Sequence, residues 1–208
     1  MALELWLTFV LAAGIILVIP GPTIILVISQ AVAHGRKSVA PLVGGVLLGD
    51  FTAMTLSLLG LGAVLAASAA VFSLLKWVGA LYLIFLGVKL WRTHPENGAA
   101  AAAVAAASTS ALFRRSYIVT ALNPKSIAFF VAFLPQFVDP GRAAFTQLAI
   151  LGATFLTLAG VNAALYGLFA GQLRETIRKP LAQRWFNRCG ATALIGAGIF
   201  TAGMQRSA

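Results

Sequence analysis

An uncharged run from Leu5 to Ala33 is interrupted near its middle by Pro20-Gly21-Pro22. Further along, an apolar stretch with no other charge between Arg115 and Asp139 is interrupted by Asn123-Pro124-Lys125. A helix needs about 20 apolar residues to cross the hydrocarbon core of a bilayer, and both runs are long enough. In lipid, broken backbone is tolerated only where it is buried in protein or lines a water-filled cavity. Interruptions paired across the two halves of a chain therefore point to a transport pathway rather than an anchor.

The composition agrees. Of 208 residues, 60% are hydrophobic and 10% are charged, and the mean hydropathy is +0.94. Soluble domains carry roughly 25% charged residues, so this chain could not cover a water-facing surface, and the class is an all-α integral membrane protein. A net charge of +10 does not indicate nucleic acid, because the basic residues lie in short loops between apolar segments and not on one soluble face. The single cysteine, Cys189, excludes a disulfide or dithiol pair within the chain. No His, Cys and carboxylate cluster has metal-ligand spacing, so neither a metal nor a cofactor is expected. Ala31-Val32-Ala33 has the form of a signal-peptidase site, but Glu4 replaces the basic start and the uncharged run is too long. It reads as a retained first helix.

Six spans are predicted: Leu3–Ala33, Val39–Ala66, Val71–Leu90, Ser116–Val138, Ala143–Gly171 and Trp185–Met204. The small-residue run Ala66–Ala70 is taken as the turn between the second and third. Lys76 and Lys89 at the ends of span three can snorkel to the headgroups, and Trp77, Trp91 and Trp185 sit where an aromatic belt would place them. Arg36, Lys37, Lys89, Arg92, Arg114, Arg115, Arg174, Arg178, Lys179, Arg184 and Arg188 fall on one side, against Lys76, Arg142 and Arg206 on the other. The positive-inside rule then sets both termini outside. The connection 93–112, with its alanine run Ala99–Ala107, reads as a cytoplasmic linker between halves.

Three spans on either side of that linker have opposite orientation, the arithmetic of a 3+3 inverted repeat within one transmembrane domain, 1–208. Pro-Gly-Pro-Thr is followed by His34-Gly35-Arg36, and Asn-Pro-Lys-Ser by Pro140-Gly141-Arg142, with spacings that differ by four residues. At 1.5 Å per residue, Pro22 lies about 18 Å from the first loop and Pro124 about 14 Å past Arg115. Both breaks thus fall near the middle of a core roughly 30 Å thick.

A proline leaves the carbonyl four residues upstream without its donor, here Ile16, Val18 and Thr120. Such groups can bind the charged ends of a small zwitterion; the alternative is a plain kink packed against neighbours. Asp50 is the only acid within a span core, where a charge costs at least about 2.5–3.5 kcal/mol. It is either half of a static pair with Lys125 or a proton site, with Lys125 holding a substrate carboxylate. Asn162 and Tyr166 project from one side of span five at i and i+4, as cavity lining or as a helix–helix hydrogen bond. Gly45-x-x-x-Gly49 and Gly167-x-x-x-Gly171 permit close helix approach. His34 and His94 are expected to be solvated. No nucleophile is paired with a base, so an enzyme is not expected.

Pro20-Gly21-Pro22, Gly45-x-x-x-Gly49-Asp50, Gly79-Ala80-Leu81-Tyr82-Leu83 with Gly87, Ala121-Leu122-Asn123-Pro124-Lys125 and Phe133-Leu134-Pro135-Gln136-Phe137 occur in an order and spacing that resembles the LysE/RhtB family of bacterial amino-acid exporters. The resemblance covers nearly the whole chain. It implies a six-helix inner-membrane exporter driven by the proton gradient, with a pathway at Pro20–Pro22 and Asn123–Lys125, and it leaves the substrate open. The wider superfamily also resembles membrane thiol-transfer proteins, which need two intramembrane cysteines where this chain has one.

The expected function is proton-coupled efflux of a small amino acid or related metabolite. Pro20, Gly21, Pro22, Asn123, Pro124, Lys125, Asn162 and Tyr166 would line the substrate pathway, and Asp50 would couple the proton. A membrane assembly subunit without transport and a passive channel are the competing readings. Whether copies of the chain associate is left open.

Overall fold

The computed structural model describes residues 1–67, 107–139 and 141–172, together with isolated positions between 77 and 92 and between 181 and 199. Among them every regular element is helical. The first expected helix is two, α1 (Leu3–Val18) and α2 (Pro22–His34), set at 54° to one another. One tight turn, Arg36–Ser38, leads into α3 (Val39–Ala67). The fourth expected helix is likewise divided into α4 (Thr109–Ala121) and α5 (Pro124–Ala128). α5 continues through a wide turn, Phe129–Phe133, and a tight one, Leu134–Phe137, and this second break bends by 41°. A final helix, α6, spans Ala144–Leu168.

Two helices are long and apolar enough to cross a membrane alone, and each bent pair is long enough to be one span more, giving up to four among the described residues. The expected helices 71–90 and 185–204, with Lys76 and Lys89, the turn after Ala67, His94 and the linker from 93 to 106 lie largely or wholly outside the described residues. The isolated positions described inside those two helices are themselves helical. A Cβ at Gly87 would lie 2.6 Å from Ile195 Cγ1 and 2.9 Å from the Ala191 carbonyl oxygen, so the chain around Gly87 approaches that around Ala191 closely.

Both breaks restart in the same way. Pro22 and Pro124 each occupy the first helical position, where a missing N–H costs nothing because that amide has no intrahelical partner. The residue before a proline is driven out of the helical region, and Gly21 and Asn123 are extended accordingly. α4 begins at Thr109, ahead of the expected Ser116, because Ser108 Oγ accepts the Ala111 N–H at 3.3 Å and caps it. Arg114 and Arg115 therefore mark the edge of an apolar region and not the end of a helix.

The core forms two apolar clusters stacked along the helices. One contains Phe9, Ala13, Met54, Phe129, Phe130, Leu134, Phe137, Leu151 and Phe155, with ring centroids such as Phe130–Phe155 only 4.9 Å apart. The other is built from Ile24, Val27, Ile28, Val39, Leu42, Val46, Leu112 and Ala163. The two helix breaks, and the polar residues carried on them, lie between the clusters.

α3 and α4 pack through glycine. A Cβ at Gly45 would collide with Ser116 Oγ and the Phe113 carbonyl, and one at Gly49 would lie 2.7 Å from Thr120 Cβ. Gly167 meets Val39 and Val27, whereas Gly171 has nothing within 4 Å, so the second glycine pair is close-packed at one position only. Gly45→Ala should therefore destabilise the detergent-solubilised protein by about 1–3 kcal/mol through overpacking, read as a lower thermal midpoint. Gly171→Ala should leave the midpoint unchanged or raise it, since alanine is the better helix former.

Candidate functional site

The end of α1 determines the site. A helix leaves its last carbonyls without intrahelical donors, and in hydrocarbon no water replaces them. Here the carbonyls of four successive residues, Ile16 to Ile19, each receive a side-chain donor from another helix. Lys125 Nζ donates to Ile16 O and Ile19 O, both at 2.8 Å. Asn162 Nδ2 donates to Leu17 O at 3.0 Å, and the Tyr166 hydroxyl to Val18 O at 2.7 Å. The negative end of the α1 dipole favours a cation at this position.

Two of the three carbonyls expected to be freed, Ile16 and Val18, thus take side-chain donors. The third is satisfied locally: Thr120 O accepts the Asn123 N–H at 3.0 Å. Asn162 and Tyr166 act here as donors between helices.

The second break supports Lys125 from below. Asn123 Oδ1 accepts the Lys125 backbone N–H at 3.1 Å, and Asn123 Nδ2 donates to Thr23 Oγ1 at 3.0 Å. Thr120 Oγ1 also reaches Thr23 Oγ1, at 3.3 Å. One hydroxyl at the start of α2 therefore ties together both sides of the second break. Gly21 leaves room for the lysine: a Cβ there would lie 3.4 Å from Nζ and 3.5 Å from Cε.

Asp50 approaches from α3. It is only 3% exposed, and Ser126 and Lys125 are both near enough to act on its carboxyl. Among the described residues, however, the two form no direct ion pair, because Lys125 Nζ is turned to the α1 carbonyls. Asp50 Oδ1 has no hydrogen-bond partner. A buried carboxylate oxygen in that state is costly and calls for an explanation beyond packing.

The residues expected to line the pathway and couple the proton lie together in this layer: Pro20, Gly21 and Pro22 form the turn, Asn123, Pro124 and Lys125 face it, and Asp50, Asn162 and Tyr166 close its sides. Thr23, Ser126 and the side chain of Thr120 belong with them but escaped notice. The available signal was position, since Thr23 and Ser126 each follow a break within one turn. His34 is not simply solvated. Its Nε2 accepts the Ala107 N–H at 3.0 Å, and Nδ1 lies 3.1 Å from Gln30 O. An amide can only donate, so Nδ1 carries the ring proton.

The arrangement offers an ammonium, a carboxylate, the hydroxyls of Thr23, Thr120, Ser126 and Tyr166 and a row of carbonyls in one layer, a set suited to holding both charged ends of a zwitterion. Removing one of the donors should leave a carbonyl bare. Tyr166→Phe is expected to destabilise the protein by on the order of 1 kcal/mol, the usual scale for interhelical hydrogen bonds in membranes. Val161→Ala, at an exposed position of the same helix, is the comparison, and thermal unfolding in detergent is the measurement.

The chain is similar to several bacterial membrane proteins. It is 33% identical to a membrane protein of Vibrio cholerae, over 97% of this chain and 98% of that one. It is 29% identical to the homoserine/homoserine lactone efflux protein of Salmonella typhi over the full length of both. The leucine efflux protein of Enterobacter sp. (strain 638) is 32% identical, over 81% of this chain and 80% of that one. No solved structure matches the chain. The family model described as LysE type translocator matches residues 14–205, a stretch that takes in both breaks and every residue of the polar layer, and the chain is accordingly a member of the LysE type translocator family.

Proposed function

We propose that this protein exports a small amino acid or a related metabolite across the bacterial inner membrane in exchange for protons. The observation that carries the reading is the unpaired geometry of two buried opposite charges. Lys125 is held by backbone carbonyls of the other break, while Asp50 keeps one oxygen without a partner. Ionisable residues inside a membrane are functional by default, and a carboxylate kept off its nearest cation is available to a proton or to a substrate cation. The efflux proteins among the relatives support amino acids as the substrate class.

In this reading the chain forms a single domain of six membrane-spanning helices, a 3+3 inverted repeat with both termini outside. Substrate binds in the polar layer between the two apolar clusters, on Lys125, the turn Pro20–Pro22 and the Asn123–Pro124 break, with Asn162 and Tyr166 at its edge. Asp50 takes up a proton as substrate leaves. One half rocks against the other to expose the layer alternately. A pure packing role accounts for Asn162 and Tyr166, but it leaves the orphaned Asp50 oxygen unexplained.

The test uses purified protein in liposomes preloaded with an amino-acid mixture that includes leucine and homoserine, with release followed by mass spectrometry. Selective release that quickens when the outside is made more acidic than the lumen is the expected result, since protons then enter as substrate leaves. Release indifferent to the gradient would indicate a passive channel. Release no greater than from protein-free liposomes would overturn the reading. Asp50→Asn and Lys125→Ala should each abolish release while the protein still inserts and accumulates.

A further inference from the structure

The α1 carbonyl turn has the composition of a cation-binding site, and its occupant is part of the protein. Ile16 O and Ile19 O both point at one ammonium nitrogen at 2.8 Å. The two carbonyls between them are held by Asn162 and Tyr166, neutral side chains whose bonds do not depend on that ammonium. The turn is therefore framed by α6 and filled by α5. Lys125 is the removable component: it reaches the turn on a flexible four-carbon stem that lies along the open face of Gly21. A carboxylate stands nearby to receive it, and that carboxylate has an oxygen without a partner.

We propose that the carbonyl turn Ile16–Ile19 is a binding site for a primary ammonium group, that Lys125 fills it in the state described here, and that the amino group of the exported substrate is the occupant that replaces it. The proposal rests on the amino-acid reading for the identity of that second occupant. Its physical basis is charge conservation in a medium that does not forgive bare charges. When a zwitterion enters, its ammonium takes the carbonyls that Lys125 gives up, and Lys125 turns to the incoming carboxylate and to Asp50. The turn holds one ammonium before and after, Lys125 always has an acceptor, and the net charge of the layer is unchanged. An empty carrier is then sealed by its own side chain and never presents bare carbonyls to the bilayer centre.

Lys125→Met tests this in the full-length protein, because it removes the tethered ammonium and keeps most of the side chain's length. Purified Lys125→Met is heated in detergent with increasing ethylammonium chloride, which carries three N–H donors, or with tetramethylammonium chloride, which has the same charge and none. Ethylammonium should raise the thermal midpoint of Lys125→Met saturably, tetramethylammonium should not, and the wild type, whose turn is already filled, should respond to neither. An equal response of variant and wild type, or equal action of the two salts, would overturn the proposal. If Lys125→Met accumulates only as aggregate, cells grown with ethylammonium should recover folded protein, and failure to do so would count against the proposal equally. The readout involves no transport. Ethylammonium rescue without amino-acid release would remove the carrier reading and leave the ammonium site, while release without rescue would remove the ammonium site alone.

Discussion

The structure depends on one requirement: backbone carbonyls exposed by a helix break in a membrane protein's apolar interior must find donors within the protein. Pro20-Gly21-Pro22 makes the break, and no residue near it in the chain supplies those donors. They come instead from Lys125 on α5 and from Asn162 and Tyr166 on α6. Satisfying the end of α1 thus fixes where two other helices stand, and places a cation where a span would otherwise carry none.

The rest of the packing serves this layer. Gly45 and Gly49 let α4 approach α3 until backbones nearly touch. That closeness brings Asp50 on α3 beside Ser126, just past the second break. Thr23 then joins α2 to Thr120 and Asn123. An aromatic cluster lies on one side of the polar layer and an aliphatic one on the other.

Much of the site was legible because prolines and charges are unambiguous in an apolar chain. Proline chemistry singles out the carbonyls of Ile16 and Val18, and insertion cost singles out Asp50 and Lys125. What escaped was pairing. Coulomb attraction between two buried opposite charges suggests an Asp50–Lys125 bridge, yet the carbonyl turn holds the ammonium instead. Thr23 and Ser126 look like ordinary small polar residues until the breaks face each other. His34 reads as a loop residue, and only the approach of Ala107 gives its ring a second partner. The start of α4 was misplaced because arginines mark where lipid ends, while a serine cap marks where the helix begins.

The sequence by itself determined that this chain lives in a membrane and that its helices break in two places. Hydrophobic run length, proline geometry and the cost of buried charge are local properties, readable residue by residue. Only the tertiary structure decided which donor meets which carbonyl, because the partners lie more than a hundred positions apart in the chain. It also decided that Lys125 leaves Asp50 for the end of α1, a choice between two acceptors that depends on where three helices cross.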